Sequence, residues 1–310
     1  MNKKQRIIIC SAIIVTVLIG LTIFIVINRA NKIQIDLSSS DVPKSETSSD
    51  YSEYFSETSG ESTSLFPTVS SSDVETQYNI PELSNEIINH LMSLDNTKKG
   101  YGWAGAENRQ DYYAKYDAYA VGDRTKRTVY LTFDEGYEYK YTPAILDVLK
   151  EKDVKAVFFV TMSYVKSNPE LIRRMIDEGH TVGNHSVTHP SLPSCTLTKA
   201  YNEIKELHDY MQNNYNYTMT LFRFPMGESS DRMLALVKEM GYKSVFWNFA
   251  HMDWETDNQP DHATAKASIA KYTKNGTIFL LHAVSKTNTE ILGEVIDDIR
   301  AKGYTIELFK

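Results

Sequence analysis

Hydrophobic and polar positions alternate in two different rhythms along the second half of the chain. Short runs rich in β-branched and aromatic residues, such as TVYLTF at 128–133 and KAVFFVT at 155–161, are typical of strands. Between such runs lie segments with helical spacing of apolar residues, such as TPAILDVLKEK at 142–152. Seven strand candidates separated by helices predict βα units and a parallel sheet. We therefore predict an α/β fold, a distorted (β/α) barrel of about seven parallel strands.

Polar residues that could act in catalysis or metal binding lie at or near the ends of these strand candidates. Catalytic groups in (β/α) barrels gather where strands end and loops begin, so residues at these ends are expected on one rim. The residues in question are Asp134 and Glu135 at the end of the first candidate, His185 at the end of the third, Arg223 at the end of the fourth, Asp253 after the fifth and His282 at the end of the sixth.

The N-terminal part of the chain has a different pattern. Residues 7–27 are an apolar run of about 21 residues without a charge, long enough to span a ~30 Å hydrocarbon core. The run is longer than the core of a signal peptide and no convincing cleavage site follows it, which favours an uncleaved transmembrane anchor. Residues 1–6 would be a cytoplasmic tail, and residues 28–78, dominated by Ser, Thr and acidic residues, a disordered linker. Residues 79–124 would be a lead-in segment that packs on a catalytic domain at 125–310.

Composition and charge limit the function further. The 310 residues, of which 42% are hydrophobic, suffice for one catalytic domain with appendages. The formal net charge of -7 argues against a protein that tracks nucleic-acid phosphates, and a neutral or cationic polymer suits this surface better. The two cysteines, Cys10 and Cys195, cannot form a disulfide framework. A Cys/His acyl hydrolase built on Cys195 is a further alternative, but no separate His or Asn context supports it.

The histidines of NHSVTHP indicate a metal site. His185 and His189 are three residues apart in a loop-like stretch before Pro190, and two such imidazoles can converge on one divalent ion at ~2.0–2.1 Å. Exposed or core histidines are the alternative interpretation. The stretch TFDEG adds Asp134 and Glu135, of which one carboxylate could complete a two-His, one-carboxylate site while the other acts as a base.

Hydrolysis of an amide needs a polarised carbonyl, an activated water molecule and a proton for the leaving amine. Asp134 could be the base and His282 the acid. His282 lies in the apolar run IFLLHA, so a neutral core histidine is a competing interpretation. A nearby carboxylate would keep this ring protonated, and Asp253 in HMDW is the candidate partner.

The motifs TFDEG, NHSVTH, RFPMG, DW and LLH, in this order, resemble the NodB-homology polysaccharide deacetylases of carbohydrate esterase family 4. The resemblance covers roughly residues 125–310. Long stretches such as TFDEGYEYKYTPAILDVL and VFWNFAHMDW are similar to the PdaA-like branch of that family. That branch comprises peptidoglycan N-acetylmuramic acid deacetylases, which make muramic δ-lactam in the spore cortex.

The resemblance implies a catalytic role for several residues. Asp134 would be the catalytic base, oriented by Arg223, and His185 and His189 would bind a divalent metal ion, for which zinc is expected. Glu135 stands where the family usually has an aspartate ligand and where the PdaA-like branch tends to have asparagine. Its longer side chain would move the carboxylate by more than an ångström, so its role as a third ligand requires the loop or the metal to shift.

The same resemblance makes His282 the general acid and Asp253 the group that tunes it. The Met226 backbone N–H would help to stabilise the oxyanion. RFPMG differs from the aromatic or arginine-bearing forms of that motif, which would alter how a glycan binds. The residues expected to contact the substrate are Trp254 and Leu281 as walls of the acetyl pocket, together with Pro225 and Met226.

The leading hypothesis is thus a metal-dependent N-deacetylase that acts on N-acetylmuramic acid in the peptidoglycan glycan strand. The alternatives are an N-acetylglucosamine deacetylase of the vegetative wall and a glycan-binding protein on the same fold that lost activity through Glu135. Retention of the other candidate catalytic and metal-binding residues argues against the last of these. A substrate outside the cytoplasm implies a single-pass protein of the cell or forespore membrane with its catalytic domain on the extracytoplasmic side.

Overall fold

The computed structural model describes residues 80–101 and 106–310. The predicted cytoplasmic tail, membrane span at 7–27 and linker at 28–78 lie outside this part of the chain. Within the described part, no helix is both long enough and apolar enough to cross a membrane.

The described residues contain one sheet in which all strand pairs are parallel. The strand order is β1-β6-β5-β4-β3-β2-β7, and β8 pairs with the start of β2. The strands are β1 (Ala118–Tyr119), β2 (Thr128–Glu135), β3 (Val157–Val160), β4 (Thr181–Asn184), β5 (Leu221–Phe222), β6 (Lys243–Val245), β7 (Ile278–His282) and β8 (Thr305–Ile306).

The sheet curves back on itself beyond β6. Asn248 N donates to the Ile278 carbonyl at 3.2 Å, and Leu280 N donates to the Phe249 carbonyl at 2.9 Å, so the chain after β6 contacts β7. The architecture is a half-barrel of seven parallel strands, and the prediction of a distorted (β/α) barrel is confirmed at this level. Strand β1 was not predicted, because two residues are too short to show an alternating pattern.

Helices connect the strands and cover the outside of the sheet. Side-chain caps begin several of them; for example, Thr161 Oγ1 accepts a hydrogen bond from Tyr164 N at 3.4 Å. The helices are α1 (Asn85–Ser93), α2 (Gln110–Ala114), α3 (Thr142–Glu151), α4 (Met162–Ser167), α5 (Pro169–Asp177), α6 (Leu197–Tyr215), α7 (Asp231–Glu239), α8 (His262–Tyr272) and α9 (Lys286–Ala301).

Aromatic side chains from the strands dominate the core. Phe133 of β2 and Phe158 of β3 are fully buried and stack with ring centroids 5.2 Å apart. Burial of one such side chain stabilises the fold by about 1.5–3 kcal/mol. Gly183 of β4 lets the Phe159 ring approach closely, since an added Cβ would lie 2.5 Å from that ring. The packed strands thus form a rigid support for the residues at their carboxyl ends.

The segment before β1 packs on the same domain. Leu91 of α1 is fully buried, and its carbonyl accepts a hydrogen bond from Arg232 Nε at 3.1 Å. Lys99 pairs with Ser229 through two backbone hydrogen bonds of 2.8 and 3.0 Å. These contacts hold the segment next to the 3-10 turn at Pro225–Gly227, on the rim that carries the candidate site.

Candidate active site

Asp134 and Arg223 form a buried ion pair at the carboxyl ends of the strands. Arg223 Nη1 donates to Asp134 Oδ1 at 2.7 Å. Its Nε and Nη2 donate to the carbonyls of Val245 at 2.9 Å and Phe246 at 3.2 Å. The guanidinium is fully buried and is therefore fixed at three points. It holds one oxygen of Asp134 and leaves the other, Oδ2, 3.5 Å from His185 Nε2.

The surroundings of Asp134 favour its ionised form. Burial by itself would raise the pKa of Asp134, but the charges of Arg223, His185 and His282 and the hydrogen bond from Arg223 together outweigh burial. The pKa of Asp134 consequently lies below its ordinary value. The residue is a carboxylate at neutral pH, with one oxygen available to accept a proton.

His185 and His189 lie on the loop that follows β4. The backbone turns through the left-handed region at Ser186, with φ 70°, and at His189, with φ 58°. Ser186 Oγ accepts a hydrogen bond from His189 N at 2.9 Å, and Asn184 Oδ1 accepts one from Ser186 N at 2.8 Å. This tight loop brings the two imidazole Nε2 atoms to 3.1 Å from each other.

The two imidazoles have the donor chemistry of metal ligands. His185 Nδ1 lies 2.9 Å from the Arg223 carbonyl, which can only accept, so Nδ1 carries the proton and Nε2 has a free lone pair. Burial lowers the pKa of His185 to about 4 and lowers the pKa of His189 as well, so both rings are neutral at neutral pH. Two nitrogens ~2.0–2.1 Å from one tetrahedral ion would lie about 3.3 Å apart. The observed separation is close to that value, and the pair fits a divalent cation.

Glu135 is not brought to these imidazoles. Successive side chains of a strand point to opposite faces, and Glu135 follows Asp134 directly in β2. Glu135 Oε1 accepts a hydrogen bond from Thr142 Oγ1 at 3.4 Å, at the start of α3. This placement differs from the predicted third ligand. Within residues 80–101 and 106–310, no group of three His, Cys, Asp or Glu side chains has metal-binding geometry.

His282 and Asp253 form a second buried pair on the same rim. His282 ends β7 and is aligned in register with Asp134 of β2. Its Nδ1 lies 2.7 Å from Asp253 Oδ1, and its backbone N–H donates to Asp253 Oδ2 at 2.8 Å. Since the carboxylate of the fully buried Asp253 accepts from Nδ1, the ring is fixed in one orientation.

Electrostatics favours the protonated form of His282. Burial would lower the pKa of His282, but the charge of Asp253 and the hydrogen bond to it outweigh burial and raise this pKa. In return, burial would raise the pKa of Asp253, whereas His282 and His251 lower it to about 2. The pair therefore favours an imidazolium beside a carboxylate, which corresponds to an acid that can give up a proton from Nε2.

A cavity of about 470 Å³ connects these groups. Trp254 and Met226, both predicted to contact the substrate, line it and are 47% and 55% exposed. Pro225, which stands between Phe224 and Met226 in sequence and was also predicted to contact the substrate, is buried and does not line the cavity. The full wall comprises Asp134, Gly136, Tyr137, His185, His189, Phe224, Met226, Trp247, Trp254, Leu280, His282 and Val284.

Leu281, the other predicted wall residue, is not part of this wall. Its neighbour Leu280 lines the cavity instead, while Leu281 is buried and aligned with Phe133 in the β2–β7 pairing. The reason is again the alternation of side chains along a strand, which puts Leu280 and His282 on one face of β7 and Leu281 on the other.

Two further residues surround Asp253 and were missed by the sequence analysis. Asn288 is buried near the start of α9, and its Nδ2 donates to Asp253 Oδ2 at 2.5 Å. His251 Nε2 lies 3.1 Å from Asn288 Oδ1 and 3.5 Å from Asp253 Oδ2. The position of His251 two residues before Asp253 is a signal that could have identified it. Asn288 has no such signal, because only the fold brings α9 to this loop.

The amino-acid sequence of this chain is similar to those of known proteins. The sequence model of the polysaccharide deacetylase family matches residues 121–245. The peptidoglycan-N-acetylmuramic acid deacetylase PdaA of Bacillus subtilis is 42% identical over 194 residues, which are 62% of this chain and 74% of that protein. The peptidoglycan-N-acetylglucosamine deacetylase PgdA of Listeria monocytogenes is 33% identical over 181 residues, which are 58% of this chain and 38% of that protein.

The fold is similar as well. The structure of Bacillus subtilis PdaA, a family 4 carbohydrate esterase, matches with a TM-score of 0.66 at 36% identity and covers 69% of this chain and 96% of that one. The match in sequence extends over most of the PdaA protein, and the match in structure over nearly all of the PdaA chain. This chain therefore belongs to the NodB-homology polysaccharide deacetylases of carbohydrate esterase family 4, which are hydrolases of amide bonds.

Proposed function

We propose that this protein removes N-acetyl groups from peptidoglycan, with N-acetylmuramic acid as its preferred sugar. One observation carries the proposal: an ionised Asp134, a neutral pair of imidazoles and a protonated His282 all face one cavity. Amide hydrolysis needs a base, an acid and an electrophile for the carbonyl oxygen, and the cavity has a group suited to each role.

Asp134 is the proposed base. Its Oδ2 accepts the proton of the water molecule that attacks the acetyl carbonyl, while Arg223 holds Oδ1 so that the carboxylate cannot rotate away. The Met226 backbone N–H, in the left-handed turn with φ 56°, is the proposed donor to the oxyanion. One such preorganised donor contributes about 2.7–4 kcal/mol to transition-state stabilisation.

His282 is the proposed acid. Its Nδ1–H donates to Asp253, so the transferable proton is the one on Nε2. This proton passes to the nitrogen of the leaving amine as the bond between carbon and nitrogen breaks. The Trp254 ring, whose centroid lies 5.6 Å from that of His282, would pack against the acetyl methyl group.

His185 and His189 are the proposed holders of a divalent cation, with zinc as the expected ion and with water or substrate at the remaining positions. When bound, the cation would polarise the acetyl carbonyl and lower the pKa of the attacking water. The ligand pair consists of two imidazole Nε2 atoms 3.1 Å apart, and zinc accepts imidazole nitrogens readily.

Replacing His185 and His189 together with Ala should remove the bound metal, because the chain would lose both nitrogen ligands. Metal content of the purified protein, measured by inductively coupled plasma mass spectrometry, checks this expectation. His262→Ala, which removes an exposed histidine paired with Glu290, is the matched control and should keep stoichiometric metal. Stoichiometric metal in the double variant would place the ligands elsewhere.

Two relatives bear on the choice of sugar. The one named for N-acetylmuramic acid is more similar to this chain than the one named for N-acetylglucosamine, at 42% against 33% identity. Deacetylated muramic acid has a free amine beside its lactyl carboxyl group, and the two would condense to the muramic δ-lactam of spore cortex. The sporulation role is part of this proposal.

The test is to incubate the full-length protein with purified peptidoglycan, release the sugars with a muramidase and identify them by mass spectrometry. Muramic acid that has lost its acetyl group is the expected product. Loss of acetyl from N-acetylglucosamine alone would favour the vegetative-wall deacetylase. Binding to peptidoglycan without loss of acetyl from either sugar would favour a glycan-binding protein on this fold.

Peptidoglycan lies outside the cytoplasm, so we also propose an extracytoplasmic catalytic domain. The apolar run at 7–27 supports a single membrane anchor in the cell or forespore membrane. Protease treatment of intact protoplasts tests this location: digestion of the catalytic domain is expected, and complete protection would contradict it.

A further inference from the structure

Two glutamates surround the first turn of α3, next to the catalytic cavity but outside its wall. Thr142 Oγ1 donates to Glu135 Oε1 at 3.4 Å, and Thr142 N donates to Glu138 Oε1 at 3.4 Å. The Tyr164 hydroxyl lies 3.1 Å from Glu138 Oε2, to which it donates, and 3.2 Å from Thr142 Oγ1. The side-chain oxygens of these four residues are thus linked by hydrogen bonds and lie between β2, α3 and α4.

Glu135 is incompletely satisfied in this cluster. The residue is 1% exposed, and its Oε2 is buried without a hydrogen-bond partner among the residues that the structure describes. Neither Glu135 nor Glu138 forms a salt bridge within that part of the chain. Leaving a buried carboxylate oxygen unpaired costs free energy, so Glu135 requires either a proton or a cation.

The charged groups near Glu135 all raise the pKa of its carboxyl group. Burial and the negative charge of Glu138, with a smaller contribution from Asp134, raise the pKa of Glu135 well above its ordinary value. Glu138 accepts hydrogen bonds from Thr142 N at the start of α3 and from the Tyr164 hydroxyl. Glu135 is therefore held ionised only where a positive charge lies beside it.

A cation satisfies these groups better than a proton does. A proton on Glu135 Oε2 would itself be a buried donor that lacks an acceptor among the described residues. A cation would instead use the free Oε2 together with the lone pairs of the neighbouring oxygens. Oxygen ligands, two of them carboxylates, are what hard divalent cations prefer, whereas the nitrogen ligands of His185 and His189 suit zinc.

We propose that Glu135 and Glu138, assisted by the hydroxyl groups of Thr142 and Tyr164, bind a hard divalent cation of the Ca²⁺ type. This site is separate from the His185–His189 pair. It joins the end of β2, which carries Asp134, to the beginnings of α3 and α4. Bound Ca²⁺ therefore stabilises the fold around the catalytic carboxylate without taking part in the reaction.

The test is calorimetric titration of the full-length protein with Ca²⁺ alone, supported by Tb³⁺ luminescence excited through tyrosine. Glu135→Gln and Glu138→Gln should each weaken Ca²⁺ binding at least about tenfold, because each removes a charged ligand. The His185→Ala/His189→Ala double variant should bind Ca²⁺ like the wild type. Ca²⁺ should also raise the melting temperature of the wild type and of the double variant, but not that of the Gln variants.

The controls keep this test decisive. Glu151→Gln removes an exposed glutamate at the other end of α3 and should leave Ca²⁺ binding unchanged. Glu138 is half-buried, so its Gln variant should fold even if that of Glu135 does not, and near-ultraviolet circular dichroism verifies folding. The proposal is overturned if the wild type does not bind Ca²⁺, if folded Glu138→Gln binds it normally, or if only the histidine variant loses it. Acetate release is not a readout here, so this proposal and the proposed deacetylation fail independently.

Discussion

Replacing Asp134 with Asn should lower kcat for acetate release by about 10²–10⁴-fold, the usual contribution of a positioned base. The amide of Asn can still accept the hydrogen bond from Arg223 but cannot take a proton from water. Metal content should stay as in the wild type, because the proposed ligands are the Nε2 atoms of His185 and His189. The measurement is acetate released from purified peptidoglycan at saturating substrate, together with metal content of the same preparation.

The substitution also leaves the Arg223 guanidinium without its counter-ion. Removing one partner of a buried ion pair costs about 3–5 kcal/mol, and the low end is expected because Val245 and Phe246 still accept two of the hydrogen bonds of Arg223. Activity must therefore be measured well below the lowered melting temperature. Asp297→Asn, which removes a surface carboxylate paired with Lys152, is the control for loss of one negative charge. Wild-type turnover by folded Asp134→Asn would remove Asp134 from its role as the base.

The fold was predictable because its signals are local and repeated. Each long strand is an apolar run such as that of β2, each run is followed by a helical segment, and parallel strands place their carboxyl ends on one edge. Residues as distant in sequence as Asp134, Arg223 and His282 could for this reason be assigned to one rim. The contacts among them, such as Arg223 Nη1 to Asp134 Oδ1, follow from that shared edge.

Two predicted site residues, Glu135 and Leu281, lie elsewhere in the structure for one physical reason. Side chains alternate between the two faces of a strand with a period of two residues. Asp134 and Glu135 are neighbours in sequence, but β2 directs their side chains to opposite faces. Only Asp134 of the two carboxylates in TFDEG therefore faces the cavity. The same holds for Leu281, because the face of β7 that carries His282 carries Leu280 and not its direct neighbour. Which of two adjacent residues faces the cavity depends on strand register, and sequence motifs do not state it.

Asn288 was not predicted from the sequence because its place at the site depends on long-range packing. Asn288 contacts Asp253 only because α9 begins beside the loop that follows β6. The contact joins residues that are 35 positions apart, and an asparagine near a helix start is commonly a cap. Sequence motifs therefore indicate His282 as the proposed acid and Asp253 as its carboxylate, but not the amide of Asn288 that holds this carboxylate in place.

Replacing His282 with Ala should lower kcat by about 10²–10⁴-fold, because the leaving amine would lose its proton donor. Asp253→Asn should have a smaller effect with a distinct signature in pH. The negative charge of Asp253 raises the pKa of His282, so its removal should lower that pKa. Since His282 acts in its protonated form, activity is lost as pH rises through this pKa, and the alkaline limb of kcat/KM should move to lower pH in the variant.

The acidic limb provides an internal reference for that shift. It belongs to groups that must be deprotonated, Asp134, whose pKa lies below its ordinary value, and His185, whose pKa is about 4, so Asp253→Asn should leave this limb in place. Asn288→Ala is the matched control, because it removes a hydrogen bond to Asp253 without changing the charge. The pH profiles of the three proteins, measured at saturating metal, distinguish charge from packing. An alkaline limb that stays at the wild-type pH in Asp253→Asn would assign it to a group other than His282, and the acid of this reaction would have to be sought elsewhere in the cavity.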